Sequence, residues 1–367
     1  MTVTEATRVA VSATERQALR EAVRDLLADR CAEADVRSAM ATPEGYDAQL
    51  WSQLAGLGLQ GLAIPEQYGG SGSSFEEVGV VLEEMGRFLY PGPYLAAMLA
   101  TAALLAGDNE QLRVTYLPAV AAGELLATVA VEQPAHGQTA APQVVAAAGQ
   151  LTGVVPYVLD GHLATLVLVA ARSDDGVGLY AVEPGAEGVA VQLLDTTDQT
   201  RRLAQLTFTA TPAQRVGGSE LLERVLSTGA AALASEQVGG AEAALTSAVS
   251  YARVRTQFGR PIGSFQAIKH ICAEIFLAVE SAKAAARRAA QEVAADGDEI
   301  AVLTSIAKAW CSDTYVSAAA GSLQIHGGVG FTWEHSAHLH LKRAKTDELL
   351  FGDARHHRAR LADVFGV

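Results

Sequence analysis

The stretch "DELLFGDARHH", positions 347–357, places two acids, Glu348 and Asp353, around a residue that cannot ionise, Phe351. A positioned carboxylate can act as a general base, which is the chemistry acids so placed could do. Glu348 lies about one helical turn before Phe351 and Asp353 two residues after it, with Gly352 leaving the backbone between them pliable. A third acid, Glu236, sits beside Gln237 in "STGAAALASEQVGG". Asp353 is the best of the set, although an exposed or helix-capping acid is the plainer reading of each. Two basic clusters, "RVRTQFGR" and "RHHRARL", stand out elsewhere. A lone arginine on a helix is ordinarily a solvated charge, and "GGVG" alone ordinarily ends a helix. Order and company decide what such pieces mean.

The surrounding composition sets limits. With 367 residues, half of them hydrophobic and 19% charged, the chain can build two or three domains and is too apolar to be disordered. A formal net charge of −14 argues against a nucleic-acid surface and against clinging to anionic membranes. Cys31, Cys272 and Cys311 are far apart and form no CxxC pair; they read as small buried hydrophobes in a reducing compartment, with no metal site. No N-terminal signal and no membrane-length apolar run is present, so a cytoplasmic location is expected.

Three textures follow one another. Residues 1–124 read as a helical domain: "SATERQALREAVRDLLADRC" opens with a serine and a glutamate suited to a helix start and repeats apolar residues at Leu19, Val23, Leu26 and Leu27. Residues 125–217 hold short Val/Leu/Thr-rich runs separated by Gly, Pro and Asp turns, the pattern of a compact β domain. From 218 to 367 long alanine-rich helices return. One carries a stripe of Ile268, Cys272, Ile275, Phe276 and Val279; the next carries Ile300, Leu303, Ala307 and Trp310. Helices this long and this small on their surfaces predict a four-helix bundle, and an α+β chain overall.

"IPEQYGG", "YARVRTQFGRPIGSFQAIKH" and "QIHGGVGF", in this order and at these separations, resemble the acyl-CoA dehydrogenase family over nearly the whole chain. The resemblance implies an N-terminal α domain, a middle β-barrel-like domain, a C-terminal four-helix bundle, and tetramers built from dimers. It implies FAD between the middle domain and the bundle, with its adenine end reaching a neighbouring subunit. It also implies an acyl-CoA substrate and electron-transfer flavoprotein or a similar acceptor. Arg255 and Gln257 match residues that hold the FAD pyrophosphate from the adjoining subunit, a task suited to a planar guanidinium fork. Phe258 and Gln266 match contacts near the adenine. Gln324, Gly327, Gly328 and Gly330 match the segment where backbone comes close to the cofactor, which glycine permits.

The departures cluster. The family's Thr-Glu-Pro-Gly-Ala-Gly-Ser-Asp is here "EQPAHGQT", keeping Pro134 and Gly137 but placing Glu132 where a hydroxyl would bond the flavin. Its Trp-Ile-Thr-Asn is here Tyr157, Val158, Leu159 and Asp160: Tyr157 can stack on a flavin ring, but Leu159 cannot donate to it. The two places where family members carry the base correspond to Phe351 and Gly229, and neither can act. Reacting-end positions are altered while adenine-end positions remain. That pattern resembles the smaller, base-less partner in heteromeric acyl-CoA dehydrogenases of steroid side-chain breakdown. A self-sufficient homotetramer using Asp353 and a flavin-free, acyl-CoA-binding scaffold are the alternatives.

Overall fold

A computed structural model describes residues 11–134, 141–183 and 185–367; the Gly137 match lies outside them. Six helices come first: α1 (Ala13–Arg30), α2 (Glu33–Met40), α3 (Ala48–Gly56), α4 (Phe75–Arg87), α5 (Tyr94–Ala106) and α6 (Glu110–Ala121). The start of α1 is fixed by a reciprocal cap. Glu15 N–H donates to Ser12 Oγ at 3.2 Å, and Ser12 N–H donates to Glu15 Oε2 at 2.8 Å. Ser74 and Glu77 make the same box at α4.

Eight strands follow: β1 (Ala127–Ala130), β2 (Val145–Ala147), β3 (Gln150–Leu159), β4 (Leu166–Ser173), β5 (Gly176–Val182), β6 (Val189–Leu193), β7 (Leu203–Pro212) and β8 (Gln214–Gly217). They form one sheet in the order β6-β7-β3-β2-β4-β5-β8, with β1 pairing parallel to β4. Between Val155 and Val158 the β3–β7 register shifts, and this irregularity turns Tyr157 outward at a φ of 58°.

The rest is helical: α7 (Ser219–Val254), a tight hairpin of β9 (Thr256–Gln257) and β10 (Arg260–Pro261), then α8 (Gln266–Ala295), α9 (Ile300–His326), α10 (Ala337–Leu349) and α11 (Ala354–Phe365). The bundle has four rods, and the fourth is α10 and α11 with a break at 350–353. Its interior is largely alanine, so the rods lie close. α4 crosses α7 closer still: a Cβ on Gly239 would fall 1.7 Å from Glu83 O, and one on Gly86 1.9 Å from Glu236 O. Of the apolar stripes read from the sequence, Ile275, Val279 and Ala307 are buried, but Phe276 and Trp310 are exposed. Beside Ala307, the inward face of α9 is instead polar, with Thr304, Lys308 and Ser312 buried. Cys31 and Cys311 are buried as expected, while Cys272 is half-buried. Among the described residues no helix is long and apolar enough to cross a membrane, and no group of side chains is arranged to hold a metal.

A buried charge cluster joins these parts. Arg343 of α10 donates to Glu236 Oε1 of α7 at 2.6 Å, to Thr200 O at 2.7 Å and to Thr200 Oγ1 at 2.9 Å, and its Nε lies 3.3 Å from Asp198. Arg201 donates to the same Glu236 and lies 3.3 Å from Asp347. Asp160, at the end of β3, is buried near both arginines. Burial pushes its carboxyl up to about 7 against the opposing pull of Arg201 and Arg343. The folded chain therefore holds this proton more tightly than the unfolded chain, where an aspartate titrates at about 3.9. The stability this contributes is complete below the unfolded value and is lost as pH rises through about 7. Asp160→Asn is expected to flatten that slope. Urea midpoints at about pH 5 and about pH 8 check it: the variant gains on the wild type at the higher pH, and an equal difference at both contradicts the assignment.

Candidate functional site

Two regions contain the matched residues, and they are built in opposite ways. The first is open. The C-terminal turn of α7 delivers Tyr251 and Arg255, and the chain reverses at Phe258 and Gly259, both at positive φ (52° and 72°), to form the β9–β10 hairpin. Consecutive positive φ values suit a two-residue hairpin turn, but a phenylalanine there is strained. Strain and exposure coincide, since Phe258 is 91% exposed. Its ring meets Phe265 edge-on at 6.1 Å, and the Arg260 guanidinium lies over the other residue of that pair, 4.2 Å from the Phe265 centroid.

Against this hairpin, α9 ends at Gly327, whose φ of 62° turns the chain away. Nothing lies within 4 Å of where a Cβ on Gly327 or Gly328 would be, so this backbone faces open space. Arg255, Gln257, Phe258, Gly327 and Gly328 thus line one open pocket of about 580 Å³, together with Tyr251, Phe265, Ile268 and His326. Of the last four, Ile268 was read from the sequence only as part of an apolar stripe, and none was read as a site residue. The signal for Tyr251 was its place one helical turn before Arg255 on α7. His326 stacks between Tyr251 (4.5 Å) and His335 (4.2 Å), giving the pocket an aromatic floor. Gln266 and Gln324 are exposed nearby but outside this lining. Gly330 is buried and outside this lining, and a Cβ there would press on His326 Cβ at 3.0 Å, so close packing by itself requires a glycine. Flat aromatic walls, exposed backbone and a guanidinium fit an adenine and a pyrophosphate, and hence the adenine half of FAD.

The second region is closed. Phe351 sits in the break between α10 and α11 at a φ of 56° and is only 4% exposed. A Cβ built on Gly229 of α7 would lie 3.1–3.3 Å from three atoms of its ring. The two positions that the resemblance matches to the family's alternative bases therefore face each other, and a phenyl ring fills the space between them. None of the replacement acids reaches that space. Asp353 caps α11, accepting from His356 N–H at 2.7 Å. Glu348 pairs with Lys345 at 2.8 Å. Burial disfavours the charge of Glu236, yet Arg201 and Arg343 outweigh it and hold its carboxyl below the usual range. Such a carboxylate is a poor base.

At the expected flavin edge, Glu132 Oε1 accepts from Gln143 N–H at 3.2 Å, and burial raises its carboxyl above the ordinary value while that hydrogen bond opposes the rise. Leu159 points into the core, where its carbonyl accepts from Thr128. Tyr157 is 54% exposed and free to stack.

A helical–sheet–helical chain with these two regions is an acyl-CoA dehydrogenase: the chain belongs to that family. The family's N-terminal domain matches residues 13–124 and its C-terminal domain residues 217–365. Its members are FAD-dependent flavoproteins and oxidoreductases. Acyl-CoA dehydrogenase IpdE2 of Mycobacterium tuberculosis is 37% identical over 95% of this chain and 96% of its own length. Acyl-CoA dehydrogenase FadE34 of the same organism is also 37% identical, over 92% of this chain but only 46% of its own length. Among solved structures, the ChsE4-ChsE5 complex from Mycobacterium tuberculosis superposes with a TM-score of 0.90 at 28% identity, covering 97% of this chain and 98% of that one. A variant of the Tcur3481-Tcur3483 steroid acyl-CoA dehydrogenase gives 0.89, also at 28%, covering 96% and 98%.

The contact between Gly229 and Phe351 generates a prediction. Gly229→Ala sets an overpacking cost of about 1–3 kcal/mol, from the ring, against a gain of about 1 kcal/mol in helix propensity within α7, so a net loss of at most about 2 kcal/mol is expected. In a Phe351→Leu background, where the ring is gone, the same change costs less. A double-mutant cycle in urea measures the coupling, and strict additivity would disprove the contact.

Proposed function

We propose that this chain is the base-less subunit of a heteromeric, FAD-dependent acyl-CoA dehydrogenase, and that it supports the FAD of a partner that carries the base. One observation carries the reading: the two base positions confront each other as Phe351 and Gly229, with no carboxylate between them, while the residues matched to the adenine end line an open pocket. FAD, when bound, supplies the acceptor for the hydride lost from the β-carbon of the thioester. Arg255 would clasp its pyrophosphate and Gly327–Gly328 would lie along it, with Tyr251 and His326 as the aromatic floor. The proton at the α-carbon falls to the partner's carboxylate, because this chain holds none at the place.

The similar structures support a paired assembly. One is a complex of two different chains, and another is described as a steroid enzyme. The match to less than half of FadE34 leaves room in that polypeptide for a second module of similar size. On these grounds the substrate class is a steroid side-chain acyl-CoA, and electrons leave to electron-transfer flavoprotein or a similar acceptor. Asp353 as an unusual base is disfavoured by its capping bond to His356 N–H. A flavin-free scaffold is disfavoured by the open pocket around Arg255, which a scaffold would not need.

Turnover of an acyl-CoA with a ferrocenium acceptor tests the proposal. The chain alone is expected to be inactive and the complex with a base-bearing partner active. In that complex, Asp353→Ala retains turnover once any loss of stability is allowed for, whereas Arg255→Ala loses FAD and activity together. Turnover by the chain alone, abolished by Asp353→Ala, would overturn it.

A further inference from the structure

The break between α10 and α11 is held more firmly than a link between two helices requires. Lys308 of α9 is fully buried and donates to Gly352 O at 2.9 Å, to Glu348 O at 3.2 Å and to Ser312 Oγ at 2.9 Å. All its protons are used on neutral acceptors; Asp347, Glu348 and Asp353 act on it only at longer range, and burial lowers it to about 8. His357 Nε2 lies 3.0 Å from Phe351 O, and its Nδ1 lies 3.2 Å from Ser305 Oγ. From the sheet side, Gln133 Oε1 accepts the Phe351 N–H at 2.8 Å.

A lysine buried without a hydrogen-bonded carboxylate is costly, and so is a phenylalanine in the left-handed region. Both costs are met at one spot, and what they fix together is the direction of the Phe351 ring onto Gly229. The space left beside that ring, between Pro134, Leu226, His356 and Arg360, is about 120 Å³. Pockets that hold small-molecule ligands run from about 300 to 1,000 Å³.

We infer that Phe351 is a plug. Its ring occupies the place where the reacting end of an acyl thioester would lie in this chain, and Lys308, His357 and Gln133 are positioning residues that hold it there. The inference rests on the half-site reading and deepens it: this chain binds no acyl thioester at its own Gly229 pocket, so substrate enters the assembly only at the partner's. The plug thereby assigns the specificity of the whole assembly to the other chain.

Calorimetric titration with octanoyl-CoA, used as a probe thioester, tests this on the full chain. The wild type is expected to show no binding. Phe351→Ala opens the pocket and binds at least tenfold more tightly than wild type, and Lys308→Met, which keeps the shape but removes the ammonium, gains affinity to a smaller degree. Thermal midpoints establish that each variant is folded; should Phe351→Ala fail that check, Lys308→Met carries the test. A merely structural lysine would change the midpoint and leave octanoyl-CoA binding at the wild-type level, which would remove it from the brace. Binding by the wild type as tight as by Phe351→Ala overturns the plug. If that binding comes without flavin reduction, the half-site reading survives; if the chain reduces its own flavin, both fall.

Discussion

Everything in this molecule is arranged around Arg343. Arg343 is 2% exposed and reaches α7 through Glu236, the connection between β6 and β7 through Thr200 and Asp198, and the connection between α4 and α5 through the Tyr90 carbonyl at 3.3 Å. Removing one member of such a network leaves the others charged in a medium that cannot solvate them, at a cost of about 3–5 kcal/mol. Buried charges of this kind add little net stability against an apolar core of equal volume. What they impose is position: α10 can sit in one register only, since Arg343 and Asp347 have partners at one place alone. Glu236 is consumed by this duty and is lost to catalysis.

The register of α10 in turn sets where the fourth rod breaks. The break delivers Phe351 to Gly229 and closes the space between them, while the far end of the same bundle leaves Arg255 and the Gly327–Gly328 backbone uncovered. The two ends obey different physics. A closed end needs volume matching, which the phenyl ring supplies against a residue with no side chain. An open end needs flat, exposed surface and a charge, and it tolerates the strain at Phe258 because the hairpin fixes it.

Much of this was legible in the sequence, and what was not has a common cause. Ser12 with Glu15, and the alanine-rich runs of α7 and α8, announce helices through local spacing, and the Val-rich runs between Gly and Pro turns announce strands. That neither Phe351 nor Gly229 can act as a base was readable, because neither side chain ionises in any environment. Their mutual contact was not, since it depends on how α7 and the 350–353 break meet across the bundle. The same holds for Lys308, which reads as a surface lysine until α9 is seen to turn its polar face inward. It also holds for Glu236, whose partners come from β-domain and α10 residues far along the chain. Periodicity misjudged Phe276 and Trp310 because a helix in a bundle can bury small and polar residues while its large apolar ones face outward. The packing constraint on Gly330, with His326 beneath it, is three-dimensional and was not legible either.

The central claim is that this chain holds half of a flavin site. The most direct measurement is the ratio of FAD to chain, read from visible absorbance, for the protein purified alone and after co-expression with a base-bearing member of the family. The account predicts a ratio near zero alone and about one flavin per pair of unlike chains in the complex. A ratio near one for the chain by itself would contradict it.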